Sequence, residues 1–276
     1  MLPTQIPGNR FFTFQGGTTM RTNTLKQKLR DGKPVFGVML TFPSPPVVEM
    51  LGHMGFDWVL LDNEHGSITV DTAEDVIRAA ELTGIAPIVR PVANRPEVIA
   101  PFLDRGAWGV QVPHVNTRAE AEAAVAACKY FPDGQRGSFS RGRPAEYGMG
   151  GTTQEYFAKA NANTLVCLML EEVEAIDNIA EIVTVKGVDV LFIGSGDLSQ
   201  SMGHPGQQAH PEVLAVMEKG VKRIRDAGVS AGVSCPDSLV PKFLGLGVQY
   251  FHGNVASLLH SAGQTYLKTM RQSAGT

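Results

Sequence analysis

Five side chains able to hold charge or move protons stand at the ends of short apolar runs: Asp62 and His65 in LLDNEHG, Arg90 in IVRP, Glu171 in LMLEE and Asp197 in FIGSGD. Glu171 and Asp197 offer hard carboxylate oxygens with no cysteine nearby. That donor set suits Mg²⁺ or Mn²⁺ and leaves positions for water and a chelating substrate. Both also admit an ordinary reading, Glu171 in an ion pair with Arg or Lys and Asp197 as the cap of DLSQSMG. Asp62 and His65 lie three apart, which lets the carboxylate accept the imidazole N–H, fix its tautomer and poise an acid or base. A turn histidine beside an Asx turn uses the same spacing. Arg90, ending an apolar strand, must find an anion: a substrate carboxylate, an enolate, or the side chain of Glu64. Gly194, Ser195 and Gly196 could turn backbone N–H groups toward an anion, although GSG alone is a weak phosphate signal.

Groups so far apart in sequence act together only where a fold gathers the ends of their strands. From Lys33 onward, Val- and Ile-rich runs at 35–40, 58–62, 87–90, 109–112, 165–170, 188–193, 229–234 and 248–252 alternate with stretches at helical spacing. Prolines open the helix of 45–55, Asp71 lies in the first turn of 69–83, and Thr117 precedes AEAEAAVAACKY. Glycines 55, 84, 106, 187, 228 and 247 stand where helices stop before the next strand. Eight such units, with no GxGxxG turn after the first strand, predict an α/β fold: a single (β/α)₈ TIM barrel over 24–276, preceded by an N-terminal extension at 1–23. In such a barrel the reactive groups gather at the carboxyl ends of the strands, where these five fall. The segment from Phe131 to Asn163 breaks the rhythm. It reads as a long connection with a short extra helix, whose Arg136, Arg141 and Arg143 either meet an acidic substrate or another subunit, or are simply solvated.

The 24 basic and 27 acidic side chains, net charge -3, form no basic stripe, so nucleic acid is not an expected partner. Cys128, Cys167 and Cys235 give neither a disulfide framework nor a zinc signature. No apolar run reaches the roughly 20 residues of a membrane span, and 1–19 lacks a signal-peptide core, so a cytoplasmic protein is expected. Met20 reads as an alternative start. His204 and His210 read as surface loop histidines, and Cys235 has no evident base partner.

Together LDNEHG (61–66), VRP (89–91), QVPHVNT (111–117), LMLEE (168–172) and FIGSGDLSQSMG (192–203) resemble the HpcH/HpaI aldolase family of class II pyruvate aldolases. The similarity runs in order over nearly all of the chain after Thr24. It implies a lyase that cleaves 4-hydroxy-2-oxo acids to pyruvate and an aldehyde through a metal-stabilised pyruvate enolate. By resemblance Glu171 and Asp197 take the places of the metal ligands, for Mg²⁺ or Mn²⁺ with Co²⁺ a further candidate. Arg90 faces pyruvate, His65 and Asp62 form an acid/base dyad, and Ser195 and Gly196 present N–H groups to the pyruvate carboxylate. A hexamer of dimers that exchange their last helix is implied as well. The chain departs from the family pattern at Gly194-Ser195-Gly196, His114 and Glu172, and the pyruvate half is kept better than the aldehyde half. Related readings are an oxaloacetate decarboxylase or macrophomate synthase-like enolate enzyme, and a non-catalytic barrel that binds a small acid.

Overall fold

The structure is a computed structural model that describes residues 22–275. The extension assigned to 1–23 therefore lies outside the described residues, save Thr22 and Asn23. Asn23 belongs to the fold: its side chain caps the first helix, and it is tied to Asn163 and to the Trp108 carbonyl.

Eight parallel strands close in sequence order, β1 (Val35–Leu40), β2 (Trp58–Asp62), β3 (Ala86–Arg90), β4 (Gly109–Val112), β5 (Leu165–Leu170), β6 (Val190–Ile193), β7 (Ser230–Val233) and β8 (Tyr250–Asn254). Closure is made by β8 against β1, with Phe36 opposite Phe251. Helix α1 (Thr24–Arg30) precedes the barrel. Then α2 (Pro45–His53), α3 (Val70–Thr83), α4 (Pro96–Asp104) and α5 (Arg118–Cys128) follow the first four strands in turn. The long connection before β5 holds a 3₁₀ segment (Arg143–Gly148) and α6 (Thr153–Asn163). Beyond β5 come α7 (Val173–Asp177) and α8 (Ile179–Ile182), after β6 α9 (Ser195–Ser201) and α10 (Pro211–Asp226), after β7 α11 (Val240–Gly245), and last α12 (Val255–Ala274).

The local chemistry of the helix ends is as the sequence suggests. Thr69, Thr117 and Thr152 each close a reciprocal capping box, satisfying N–H groups that a helix start leaves without partners. The six glycines read as helix stops all have positive φ, from 79° to 103°. Strands buried on both sides still alternate. Trp58, Leu60, Ile88, Cys167, Met169, Phe192 and Tyr250 pack inside the barrel, while their neighbours Val59, Leu61, Val89, Leu168 and Leu191 pack outward under the helices. This alternation also turns Asp62, Arg90 and Glu171 inward at the strand ends.

The loop arginines do not reach that end. Arg136 is buried, bonds Asp104 at 2.6 Å and lies 4.6 Å over the Tyr130 ring; Arg143 bonds Glu81 at 2.7 Å. Both line a cavity of about 240 Å³ beside Trp108 and Thr164, which lead into β4 and β5 at the opposite face. Arg141 is exposed.

Helix α12 departs from the compact barrel. Val255 is its single buried residue, and Leu259, Tyr266 and Met270 are 62%, 65% and 50% exposed. Among the described residues no helix is long and apolar enough to cross a membrane, and the three cysteines are free.

Candidate active site

A cavity of about 500 Å³ opens at the carboxyl end of the strands, lined by Arg90, Glu171, Gly194, Gly196 and Asp197 together with Ser234 and His252. β5 delivers Glu171 as the first residue past its end, and Asp197 stands in the first turn of α9. Glu171 is 1% exposed, and its Oε1 accepts the His114 backbone N–H at 2.9 Å. Its Oε2 is buried without a hydrogen-bond partner. Among the described residues Glu171 makes no ion pair with Lys or Arg, so the ordinary alternative of the sequence is not realised. A Cβ at position 194 would stand 2.8 Å from that Oε2, so glycine there gives the carboxylate its room.

Burial pushes the Glu171 carboxyl up to about 7; the His114 N–H opposes the shift and the Asp197 charge adds to it. The positive charge that would offset a buried Glu171 carboxylate is what a divalent cation supplies, to oxygen donors of the hard class. The orphaned Oε2, the room beside it and the all-oxygen donor pair thus fit a resident Mg²⁺- or Mn²⁺-class ion.

Arg90 and Asp62 are register partners on β3 and β2. Their side chains meet in a bidentate pair, Nε to Oδ1 at 2.9 Å and Nη2 to Oδ2 at 2.8 Å, with Asp62 fully buried and Arg90 6% exposed. Burial works to lower the Arg90 pKa, but the bonds and charge of Asp62 outweigh it and the shift is upward. Glu64 adds a third oxygen at 3.2 Å.

The expected bond from Asp62 to the His65 imidazole is not formed. Asp62 already serves Arg90, and its Oδ1 also accepts the backbone N–H groups of Glu64 and His65 at 3.1 and 3.3 Å. The His65 ring is mostly exposed and stands 3.7 Å from the Glu64 carboxylate. The N–H of Ser195 is likewise committed: Ser195 is buried, and it donates to Ser234 Oγ at 3.0 Å. Gly194 and Gly196 line the cavity in its place.

Several contributors carry no strong sequence signal. Glu64, 8% exposed at its side chain, lies within 4 Å of Arg90, His65 and His114 at once. His114, at φ 53°, holds its ring 3.0 Å from Glu172 and 3.3 Å from Glu64, and Asn116 bonds the other Glu172 oxygen at 2.6 Å. His252 forms part of the floor, stacked on Phe192 at 5.1 Å and edge-on to Trp58 at 5.7 Å. Burial pushes its imidazole down to about 4. The unfolded chain takes up that proton near pH 6.5, before the folded one does, so stability declines as pH falls from about 6.5 to about 4. Urea midpoints at the two ends of that window should differ less in His252→Gln than in the parent. An identical difference would show that His252 is not enclosed as described.

Comparison with known proteins agrees with this geometry. Residues 36–247 match the family model for HpcH/HpaI aldolase/citrate lyase. A pyruvate aldolase of Rhizobium etli is 38% identical over 229 residues, 83% of this chain and 89% of that protein. A hydroxypyruvate/pyruvate aldolase of Roseobacter denitrificans is 35% identical over 230 residues, with 83% and 89% covered. Among solved structures, an HpcH/HpaI aldolase/citrate lyase family protein from Burkholderia cenocepacia superposes with a TM-score of 0.85 at 31% identity, covering 91% of this chain and all of that one. The motifs from LDNEHG to FIGSGDLSQSMG lie within residues 36–247, and the chain belongs to the HpcH/HpaI aldolase/citrate lyase family.

Proposed function

We propose that the chain is a class II pyruvate aldolase that cleaves 4-hydroxy-2-oxo acids to pyruvate and an aldehyde, and joins them in reverse. The observation that carries the reading is the partnerless, buried Oε2 of Glu171 in the cavity that Asp197 also lines. Mg²⁺ or Mn²⁺ held by these two residues would supply electrostatic stabilisation of the negative charge that a ketoacid develops when its C3 proton leaves.

The chain's own groups do the rest. Asp62 holds the planar guanidinium of Arg90 through Nε and Nη2, with Glu64 a second anion beside Nε, so the N–H groups left over would serve a substrate's oxygens without reorganising. In the synthetic direction the C3 carbanion equivalent attacks the aldehyde carbon, a carbon–carbon bond forms, and the aldehyde oxygen takes a proton. We assign that proton to His65, which the resemblance places in the acid/base dyad and whose exposed ring has Glu64 rather than Asp62 beside it. Cleavage runs the same proton back.

Exchange of pyruvate's C3 protons with D₂O tests the reading without knowledge of the aldehyde: it is expected with Mg²⁺ or Mn²⁺ and not in chelator. His65→Ala should lower aldol cleavage by about 10²- to 10⁴-fold while leaving C3 exchange largely intact. Equal losses in both would remove His65 from the proton transfer. An oxaloacetate decarboxylase or macrophomate synthase-like activity needs the same charge stabilisation and is the second reading. Side-by-side rates with oxaloacetate and a 4-hydroxy-2-oxo acid separate the two. The exposed apolar positions of α12 support its packing on another copy, as in the hexamer of helix-exchanging dimers that the resemblance implies.

A further inference from the structure

We infer that His204, His210 and Glu212 form a second divalent-metal site, of a different donor class from the carboxylate pair and independent of the aldolase reading. Among the described residues this is the one group of three or more His, Cys, Asp and Glu side chains whose ligand atoms converge, all within 4.8 Å of one another. Two of the three already stand at ligand spacing. His204 Nε2 lies 3.1 Å from Glu212 Oε2, and ligands bound at about 2.0–2.1 Å in a tetrahedral site are roughly 3.3 Å apart.

His210 completes the set. Its Nδ1 accepts the Glu212 backbone N–H at 3.3 Å, capping α10 and placing the ring proton on Nε2, so the ring takes an ion either by exchanging that cap for the metal at Nδ1 or by moving the proton to Nδ1 and binding through Nε2. Its ring lies against that of His204, with centroids 3.7 Å apart and planes 18° from parallel. Stacked rings cannot both aim lone pairs at one ion, so one imidazole must turn about its Cβ–Cγ bond to bind. That torsion has a broad, shallow profile, and ligand atoms within 4.8 Å of one another have at most about 1.5 Å to close on a tetrahedral edge. The site is reachable from solvent, with side-chain exposure of 23% for His204 and 70% for Glu212. Three protein ligands leave an open position for water.

Two imidazoles and one carboxylate favour Zn²⁺, Co²⁺, Ni²⁺ or Cu²⁺ over Mg²⁺. The two sites therefore sort metals by donor hardness. The ion would pin the loop between α9 and α10 at both ends, and Gln208, in the middle of that loop, lines the catalytic cavity beside Gly196 and Asp197. Occupancy of the histidine site would thus hold one wall of the active-site mouth.

Equilibrium dialysis against Zn²⁺ near neutral pH, in a chain carrying Glu171→Ala and Asp197→Ala, isolates the site. One equivalent of Zn²⁺ should bind, and adding His204→Ala with His210→Ala should weaken binding by about tenfold or more. Co²⁺ should give the intense visible bands of a tetrahedral site in the first protein and lose them in the second. His204→Gln, which keeps a hydrogen-bonding side chain beside Glu212, serves if the double histidine variant does not fold. No zinc bound in the carboxylate variant, or the same binding without the histidines, would overturn the proposal. Neither result depends on whether the parent protein is an aldolase.

Discussion

Glu171→Gln is expected to lower metal-dependent C3 proton exchange of pyruvate by about 10³-fold or more, and Glu171→Ala by at least as much. The amide preserves the shape of the side chain and can still accept the His114 N–H that now reaches Oε1 at 2.9 Å. What it lacks is charge. A glutamate that burial and a neighbouring aspartate push up to about 7 is costly to ionise by itself. Such a carboxylate is stabilised by a cation that approaches the vacant lone pairs of Oε2. Electrostatic help from a divalent ion amounts to several kcal/mol at the transition state, and each 1.36 kcal/mol is about a factor of ten. Isothermal titration with Mn²⁺ should show the same loss in affinity, whereas the melting temperature without added metal should stay level or rise. Exchange in Glu171→Gln within tenfold of the parent, or parent exchange that persists in excess chelator, would contradict the assignment.

The barrel was legible because each unit carries both of its boundaries. Val- and Ile-rich runs of four to six residues, bounded by glycine and polar turns, favour buried strands over helices. A glycine that must adopt positive φ, such as Gly84 or Gly228, marks where the preceding helix ends. Strand ends were softer: β6 starts at Val190 and β8 extends to Asn254, because pairing with neighbours and not residue type decides the last ladder bond. Within the site, Glu171, Asp197 and Arg90 were readable as charged groups at strand ends, which a closed barrel gathers at one mouth. Their partners were not. Asp62 lies three residues from His65 and 28 from Arg90, and local spacing favours the first. The β2–β3 register, which sets Asp62 directly opposite Arg90, decides for the second. The Ser195 N–H is taken for the same kind of reason, since Ser234 reaches it from just past β7, a neighbour only in three dimensions. The loop arginines were misleading because composition reveals charge and not direction: Arg136 and Arg143 turn toward Asp104 and Glu81 at the far end of the barrel.

Asp62→Ala should destabilise the protein by about 3–5 kcal/mol, the usual cost of stranding one member of a buried ion pair. Arg90 has almost no access to water, and Glu64, the other carboxylate in an ion pair with it, lies 3.2 Å from Nε. The freed guanidinium will turn toward Glu64 and the cavity, out of the plane in which two parallel bonds now hold it, so kcat/KM should fall by about 10²-fold or more. A double variant separates the two effects. Asp62→Leu with Arg90→Met removes both charges together, and such replacements of a buried pair are often neutral for stability. Its urea midpoint should recover most of the loss while its activity stays at the level of the single variant. The pair is then worth little to the fold by itself, and its retention follows from what Arg90 must do at the mouth of the barrel. A single Asp62→Ala protein within about 1 kcal/mol of the parent would show that Arg90 finds another anion. An active double variant would show that neither charge is needed.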